Sequence, residues 1–139
     1  MSDILAIDVG TTISKMGVFS SNLGRKCETS RTYQVNYYDQ VKADIEPEKS
    51  WQALRYSSAE QKKFLPSVGV ASFSVTTPSL LPMAENGTAL GPAILFPDGR
   101  SHKQVKEIRA RVGEEKFLRE TCNLPVSGGA SISSVLLDT

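Results

Sequence analysis

The sequence is poor in the residues that usually announce chemistry. Its 139 residues include one histidine, one tryptophan and two cysteines. Cys27 and Cys122 stand far apart and match no zinc-ligand or C-x-x-C spacing, so they read as reduced thiols of a cytosolic protein. His102 follows Arg100 at the start of an expected helix and reads as a solvated side chain. An excess of one charge is also missing. A formal net charge of +1 supplies no field to draw the chain onto nucleic acid or an anionic membrane, so neither partner is expected. No apolar run approaches the roughly 20 residues of a membrane span. The N-terminus carries Asp3 where a signal peptide carries basic residues. The chain therefore reads as soluble and cytoplasmic, and no internal repeat is visible.

Hydrophobic residues make up 40% of the chain, a globular composition in the size range of one domain. Residues 3–9 and 15–20 read as strands joined by a Gly-Thr-Thr turn. Asn22-Leu23-Gly24 is the next turn, with Gly24 the residue suited to positive φ. Arg25 to Val35 suits a third strand, solvated on one face and near a sheet edge, completing an antiparallel meander. Residues 36–46 read as a connection. Pro47 opens a helix to about Leu65, with Trp51, Leu54, Ala59 and Phe64 toward the core and Pro66 as its stop. Trp51 is a core or interdomain anchor on this reading.

Residues 68–74 form a short apolar run typical of a buried strand, parallel to the first. The right-handed crossover rule places the Pro47 helix over the sheet. Asn86-Gly87 between apolar runs is a hairpin signal. Ser101 to Val112 reads as an amphipathic helix capped by Ser101, with a second short helix after Gly113. The cluster of Lys103, Lys106, Arg109 and Arg111 is a solvated helix face. The serine- and glycine-rich stretch 127–134 reads as a flexible connection, loose after about Pro125. The stop at Asp138-Thr139, just after Val135-Leu136-Leu137, reads as a truncated helix.

The chemistry concentrates in the first seventeen residues, around IDVGTTISKMG. Asp8 at a strand end can hold Mg²⁺, which needs few carboxylates and keeps several waters. Gly10 lets the backbone approach a phosphate. Thr11 and Thr12 offer hydroxyl and amide donors, and successive amides in a turn can form an anion nest. Lys15 adds a point charge near the phosphoryl group. The plainer alternative is a hairpin whose Asp8 merely bonds turn amides.

This segment resembles the phosphate-1 motif of the actin-like ATPase superfamily, and specifically of the FGGY carbohydrate kinases. Three later segments fall in that family's order. ADIEPEKSWQAL resembles its D-P-x-x-x-W helix start, carried here by Glu46, Pro47 and Trp51. Residues 69–100 resemble its strand, hairpin and W-x-D-x-R block, here Phe96, Asp98 and Arg100. LRETCNLPVSGGASISSVLLD resembles the segment leading into the next helix. The resemblance implies an α/β fold of the ribonuclease-H-like, actin-like ATPase class: a mixed sheet starting with a three-stranded antiparallel meander, incomplete at its C-terminus. Residues 1–139 are then the N-terminal portion of the first domain, a single truncated domain.

The activity implied is phosphoryl transfer from ATP to a hydroxyl of a pentulose, glycerol or related carbohydrate, with Mg²⁺ and ATP as cofactors. Asp8 touches Mg²⁺; Gly10, Thr11, Thr12 and Lys15 face the phosphates. Sugar contacts come from Thr76, Thr77, Phe96, Asp98 and Arg100. The family's base aspartate sits in a downstream Gly-Asp motif that these residues do not contain, so no catalytic residue is assigned and the isolated chain is expected to be inactive. Val75-Thr76-Thr77-Pro78 matches neither the pentulose-kinase nor the glycerol-kinase sugar segment, which leaves the sugar open. Phe96 stands where the family has tryptophan, keeping an aromatic face and losing the indole donor. Asp98 and Arg100 also suit a surface turn with a local ion pair. Two other classes remain: a non-enzymatic ribonuclease-H-like module for assembly or sensing, dimeric through the face a missing lobe would cover, and a nuclease. The nuclease needs an acid cluster, and only Asp8 sits clearly at a strand end.

Overall fold

The computed structural model describes residues 2–129 and 131–137. In chain order it forms β1 (Asp3–Val9), β2 (Ile13–Phe19), β3 (Arg25–Thr32), β4 (Asn36–Tyr38), β5 (Lys42–Ile45), α1 (Pro47–Glu60), a 3-10 turn (Leu65–Ser67), β6 (Val68–Val75), β7 (Ala93–Ile94), α2 (His102–Val112), α3 (Glu114–Thr121) and α4 (Ser131–Val135). Two compact units result. The first runs to Gln34 and resumes over Pro47–Thr76; the second comprises Val35–Glu46 and the chain from Thr77 onward. Ala130, Asp138 and Thr139, on which the flexible-segment and truncated-helix expectations partly rest, lie outside the described residues.

The first unit is a four-stranded sheet of order β3-β2-β1-β6. β1, β2 and β3 form the expected antiparallel meander, and β6 pairs parallel to β1. A parallel pair needs a long crossover, and α1 lies within it, packing on β2 and β3. Strand alternation sends Ile7, Met16 and Val18 to the helix side, where they are buried. The helix answers with Ala53 and Ser57, followed by Gln61 just past its end. Gln61 donates through Nε2 to the Met16 carbonyl (2.7 Å) and the Thr29 hydroxyl (2.9 Å), tying helix to sheet. The expected burial of Trp51 and Ala59 is therefore corrected: both line an open groove with Leu54 and with Leu5, Ile7 and Phe73 of the sheet. Trp51 is 58% exposed because the buried stripe is built from small and polar residues on another side of the helix. The helix also ends at Glu60, before Pro66.

The Asn22–Gly24 turn is as expected, but its left-handed residue is Leu23, at φ 65°. At the start of β1, Asp3 is buried and accepts from Lys26 Nζ (2.6 Å) and Ser67 Oγ (2.5 Å). These two donors hold its carboxyl below the ordinary range, against the opposing effect of burial.

The second unit contains a sheet that the sequence did not announce. β4, β5 and β7 form an antiparallel three-stranded sheet, so residues 36–46 are not a plain connection. The Asn86-Gly87 turn is present, with Gly87 at φ 81° and the Ala84 amide bonded to the Thr88 carbonyl (2.9 Å). α2 packs against α3 and α4, with Ile108 and Phe117 buried together. Ser101 precedes α2 but does not cap it through its side chain. Its hydroxyl instead shares hydrogen bonds with Ser127 (2.8 Å) and Ser133 (3.1 Å). Gly128, Gly129, Ser133 and Ser134 are buried, so this stretch is packed rather than loose.

β6 is the largest correction. Its sequence, VGVASFSV, is that of a strand covered on both faces. In the structure it is the sheet edge, with every residue after Val68 exposed and Phe73 at 67%. A long, uncharged, proline-free edge is a template for pairing with another strand. The purified chain is therefore expected to self-associate with rising concentration. Val70→Lys should weaken that association by about tenfold in sedimentation analysis; a monomeric wild type would contradict this.

Candidate functional site

The β1–β2 register places Asp8 opposite Lys15 and Ala6 opposite Gly17, while β6 brings Ser74 beside Asp8. By alternation these side chains share the sheet face away from α1. They line an open groove of about 310 Å³ together with Ser72 and Glu28. Its floor is low because Ala6 and Gly17 are small. A Cβ on Gly17 would stand 2.8 Å from the Phe19 ring, so that ring's position requires glycine.

At the end of the groove the chain turns through residues 10–12. The Gly10 amide bonds to the Ile13 carbonyl (2.9 Å), and the Thr76 amide to the Val9 carbonyl (2.8 Å). The hydroxyls of Thr11 and Thr76 lie 3.0 Å apart and share a hydrogen bond. Tyr33, just past β3, gives its amide to the Thr12 carbonyl (2.9 Å) and its hydroxyl to the Gly10 carbonyl. Burial raises the Tyr33 phenol above its ordinary value, and the Asp8 charge adds to the effect, so the phenol stays a donor.

Among the described residues, no hydrogen bond or ion pair engages the Asp8 carboxylate or the Lys15 ammonium, and the amides of Thr11 and Thr12 have no partner. The reading in which Asp8 only bonds turn amides therefore does not hold. One carboxylate, one ammonium and two amides are left unspent within one strand–turn–strand. That donor set suits an anion with a hard cation.

The second unit holds Thr77, Phe96, Asp98 and Arg100. The Thr77–Pro78 bond is cis. Phe96 is 56% exposed, while Leu95 before it is buried. Asp98 is buried, and its carboxylate is spent internally. It accepts from the Ala43 amide (2.8 Å), the Arg100 amide (3.0 Å) and the Arg100 guanidinium (2.9 Å). Burial works to raise the Asp98 carboxyl, but the bonds from Arg100 and Ala43 outweigh it and leave it lowered. The Arg100 guanidinium also faces Asp44 at 3.9 Å, and Lys42 Nζ approaches Asp44 at 3.2 Å. Asp98 and Arg100 form a local pair as one reading of the sequence had it, in a buried setting. Gly128, at φ 69°, backs this turn: a Cβ there would stand 2.0 Å from the Phe96 carbonyl oxygen.

The sequence matches the N-terminal domain of the FGGY family of carbohydrate kinases over residues 3–136. The chain belongs to that family. It is 29% identical over 136 residues to a gluconokinase of Bacillus subtilis, covering 96% of this chain and 26% of that protein. It is 32% identical over 134 residues to a xylulose kinase of Lactococcus lactis, covering 92% and 26%. Among solved structures, xylulose kinase from Rhodospirillum rubrum aligns with a TM-score of 0.84 at 25% identity, over 91% of this chain and 27% of that one. Plasmodium falciparum glycerol kinase with ADP aligns at 0.82 and 19% identity, over 99% and 28%; it speaks for the fold alone. This FGGY chain thus spans about a quarter of the length of these relatives.

Within this FGGY domain, the sequence reading missed Tyr33 and Gly128. Tyr33 sat in a strand pattern with nothing to tie it to a turn more than twenty residues earlier. Gly128 had one local signal, glycine in a serine-rich stretch, which equally suits a flexible linker. No described helix is long and apolar enough to cross a membrane.

Asp98→Asn is expected to destabilise the chain by about 2 kcal/mol at neutral pH, the scale of a hydrogen bond to a charged group. Asp98 titrates below its ordinary 3.8, so its contribution is full above that pH and is lost as pH falls through the lowered value. The urea midpoints of wild type and variant should therefore converge under strong acid; a gap independent of pH would contradict the assignment.

Proposed function

We propose that this chain carries the phosphate-binding part of an ATP-dependent carbohydrate kinase that transfers a phosphoryl group to a hydroxyl of a sugar or polyol. The observation that carries the reading is the set of unspent groups within one strand–turn–strand: Asp8, Lys15 and the amides of Thr11 and Thr12. In this reading the Thr11 and Thr12 amides and the exposed Thr12 hydroxyl donate to phosphate oxygens. Gly10 keeps the turn close enough for the backbone to serve as donor, and Lys15 balances charge as the phosphoryl group moves. Asp8 fits magnesium, which accepts one carboxylate and takes its other ligands from water and phosphate. Among the described residues no group of three His, Cys, Asp or Glu forms a fuller cage. When bound there, the ion neutralises developing charge on the phosphoryl oxygens.

For the sugar, we assign Thr77 and the exposed face of Phe96 in the second unit as contacts, with Asp98 and Arg100 holding the Phe96 turn in place. The relatives named for gluconate, xylulose and glycerol support a small polyhydroxylated substrate. Accepting the hydroxyl proton falls to a Gly-Asp carboxylate outside these 139 residues. A soluble metabolic kinase acting on small molecules, without nucleic acid or membrane as partner, is consistent with the balanced charge.

Titration of the 139-residue chain with Mg²⁺ and ATP, followed by NMR, tests this. Weak binding is expected at the residue 8–15 turn. Lys15→Ala should weaken it by about tenfold, Asp8→Asn should abolish its Mg²⁺ dependence, and no sugar should be phosphorylated above background. A stable dimer that binds no Mg²⁺-nucleotide would favour the assembly module and sink the kinase reading.

A further inference from the structure

We infer that Tyr33 is a positioning residue for the phosphate turn, acting through the peptide unit that joins Gly10 to Thr11. The inference rests on the phosphate reading above and goes beyond the residues that reading assigns. A trans peptide is planar, and its C=O and N–H point in opposite directions. The Tyr33 hydroxyl holds the Gly10 carbonyl. The Thr11 amide, at the other end of the same plane, is thereby directed away from Tyr33. It is also one of the two turn amides with no partner among the described residues.

Glycine at position 10 makes this restraint matter. Its ψ is unhindered by a side chain, so on the glycine side the plane resists rotation less than it would beside another residue, and Thr11 alone restrains it from the other. Rotated, it would present a carbonyl oxygen to an anion in place of an N–H. The Tyr33 amide treats the second carbonyl in the same way by holding that of Thr12 at 2.9 Å. One residue thus takes up two of the three turn carbonyls and leaves a donor-rich face. The third constraint comes from the other side, where the Thr11 hydroxyl is fixed by that of Thr76. Tyr33 touches no reacting atom; its contribution is to aim a donor.

Tyr33→Phe removes only the hydroxyl, and the probe is Mg²⁺ with inorganic tripolyphosphate. Tyr33→Phe is expected to weaken tripolyphosphate binding about fivefold, the effect of one net hydrogen bond. The downfield shift of the Thr11 amide proton on tripolyphosphate addition should be lost with it, a signature that loosened packing alone does not produce. Replacement of Tyr33 by 3-fluorotyrosine, which keeps the donor and the size, should hold affinity at or above wild type. Wild-type affinity and an intact Thr11 shift in Tyr33→Phe would overturn the inference alone, as would a loss in 3-fluorotyrosine equal to that in Phe. Failure of the wild-type chain to bind tripolyphosphate would overturn the phosphate reading, and this inference with it.

Discussion

The register of β1 against β2 is the constraint on which the candidate site depends. Side chains alternate between faces along a strand, so a slip of one residue exchanges the two faces of the pair. In the observed register Ile7, Met16 and Val18 are buried on the α1 side, and Asp8 and Lys15 face the groove. Slipped, a carboxylate and an ammonium would enter the helix–sheet interface without partners, at several kcal/mol each. The polar side of the sheet is therefore held in place by the apolar side. Gln61 fixes which face of β2 and β3 meets α1 by bonding both the Met16 backbone and the Thr29 side chain.

What could be read from sequence followed the range of the interactions. Asp8, the Gly10–Thr12 turn and Lys15 were legible because strand, turn and strand are consecutive and the two periods of alternation are clear. β4 and β5 were not. They are three and four residues long, one is Asn-Tyr-Tyr, and the turn between them takes positive φ at Asp39 and Gln40 without a glycine to mark it. The phase of α1 was hidden for a different reason. Its buried stripe is Ala53, Ser57 and then Gln61, suited to close approach and hydrogen bonding, while its largest side chain, Trp51, lies in an open groove beside Leu5 and Phe73. A hydrophobicity pattern weights the wrong residues in such a helix.

β6 shows the converse case, in which the pattern was read correctly and the structure does not fulfil it. Val-Gly-Val-Ala-Ser-Phe-Ser-Val is the composition of a parallel strand buried on both faces. Here β1 satisfies one edge, and the other edge and both faces are open. The composition of β6 records cover that the described residues do not provide.

The fate of the aspartates separates acids committed to the fold from the unengaged Asp8 more sharply than their sequence context does. Asp3 and Asp98 are both buried and both held in the charged form by bonds from neighbours, Lys26 and Ser67 for one and Arg100 and Ala43 for the other. Asp44 is buried between Lys42, Arg100 and Asn36. Asp3 and Asp98 are spent, since recruiting either for a ligand would strip a cation or amide of its partner; Asp44 is held by charge, its Oδ2 near Lys42 and Arg100 without a hydrogen bond. Asp8 is half-buried, faces Lys15 across the pair without forming an ion pair, and accepts nothing. Folding thus draws no hydrogen bond from Asp8, and a ligand that engages it disrupts none. The same test divides the tyrosine and threonines of the turn. Tyr33 and the Thr11 hydroxyl are committed to shaping it, and the amides they shape are left open.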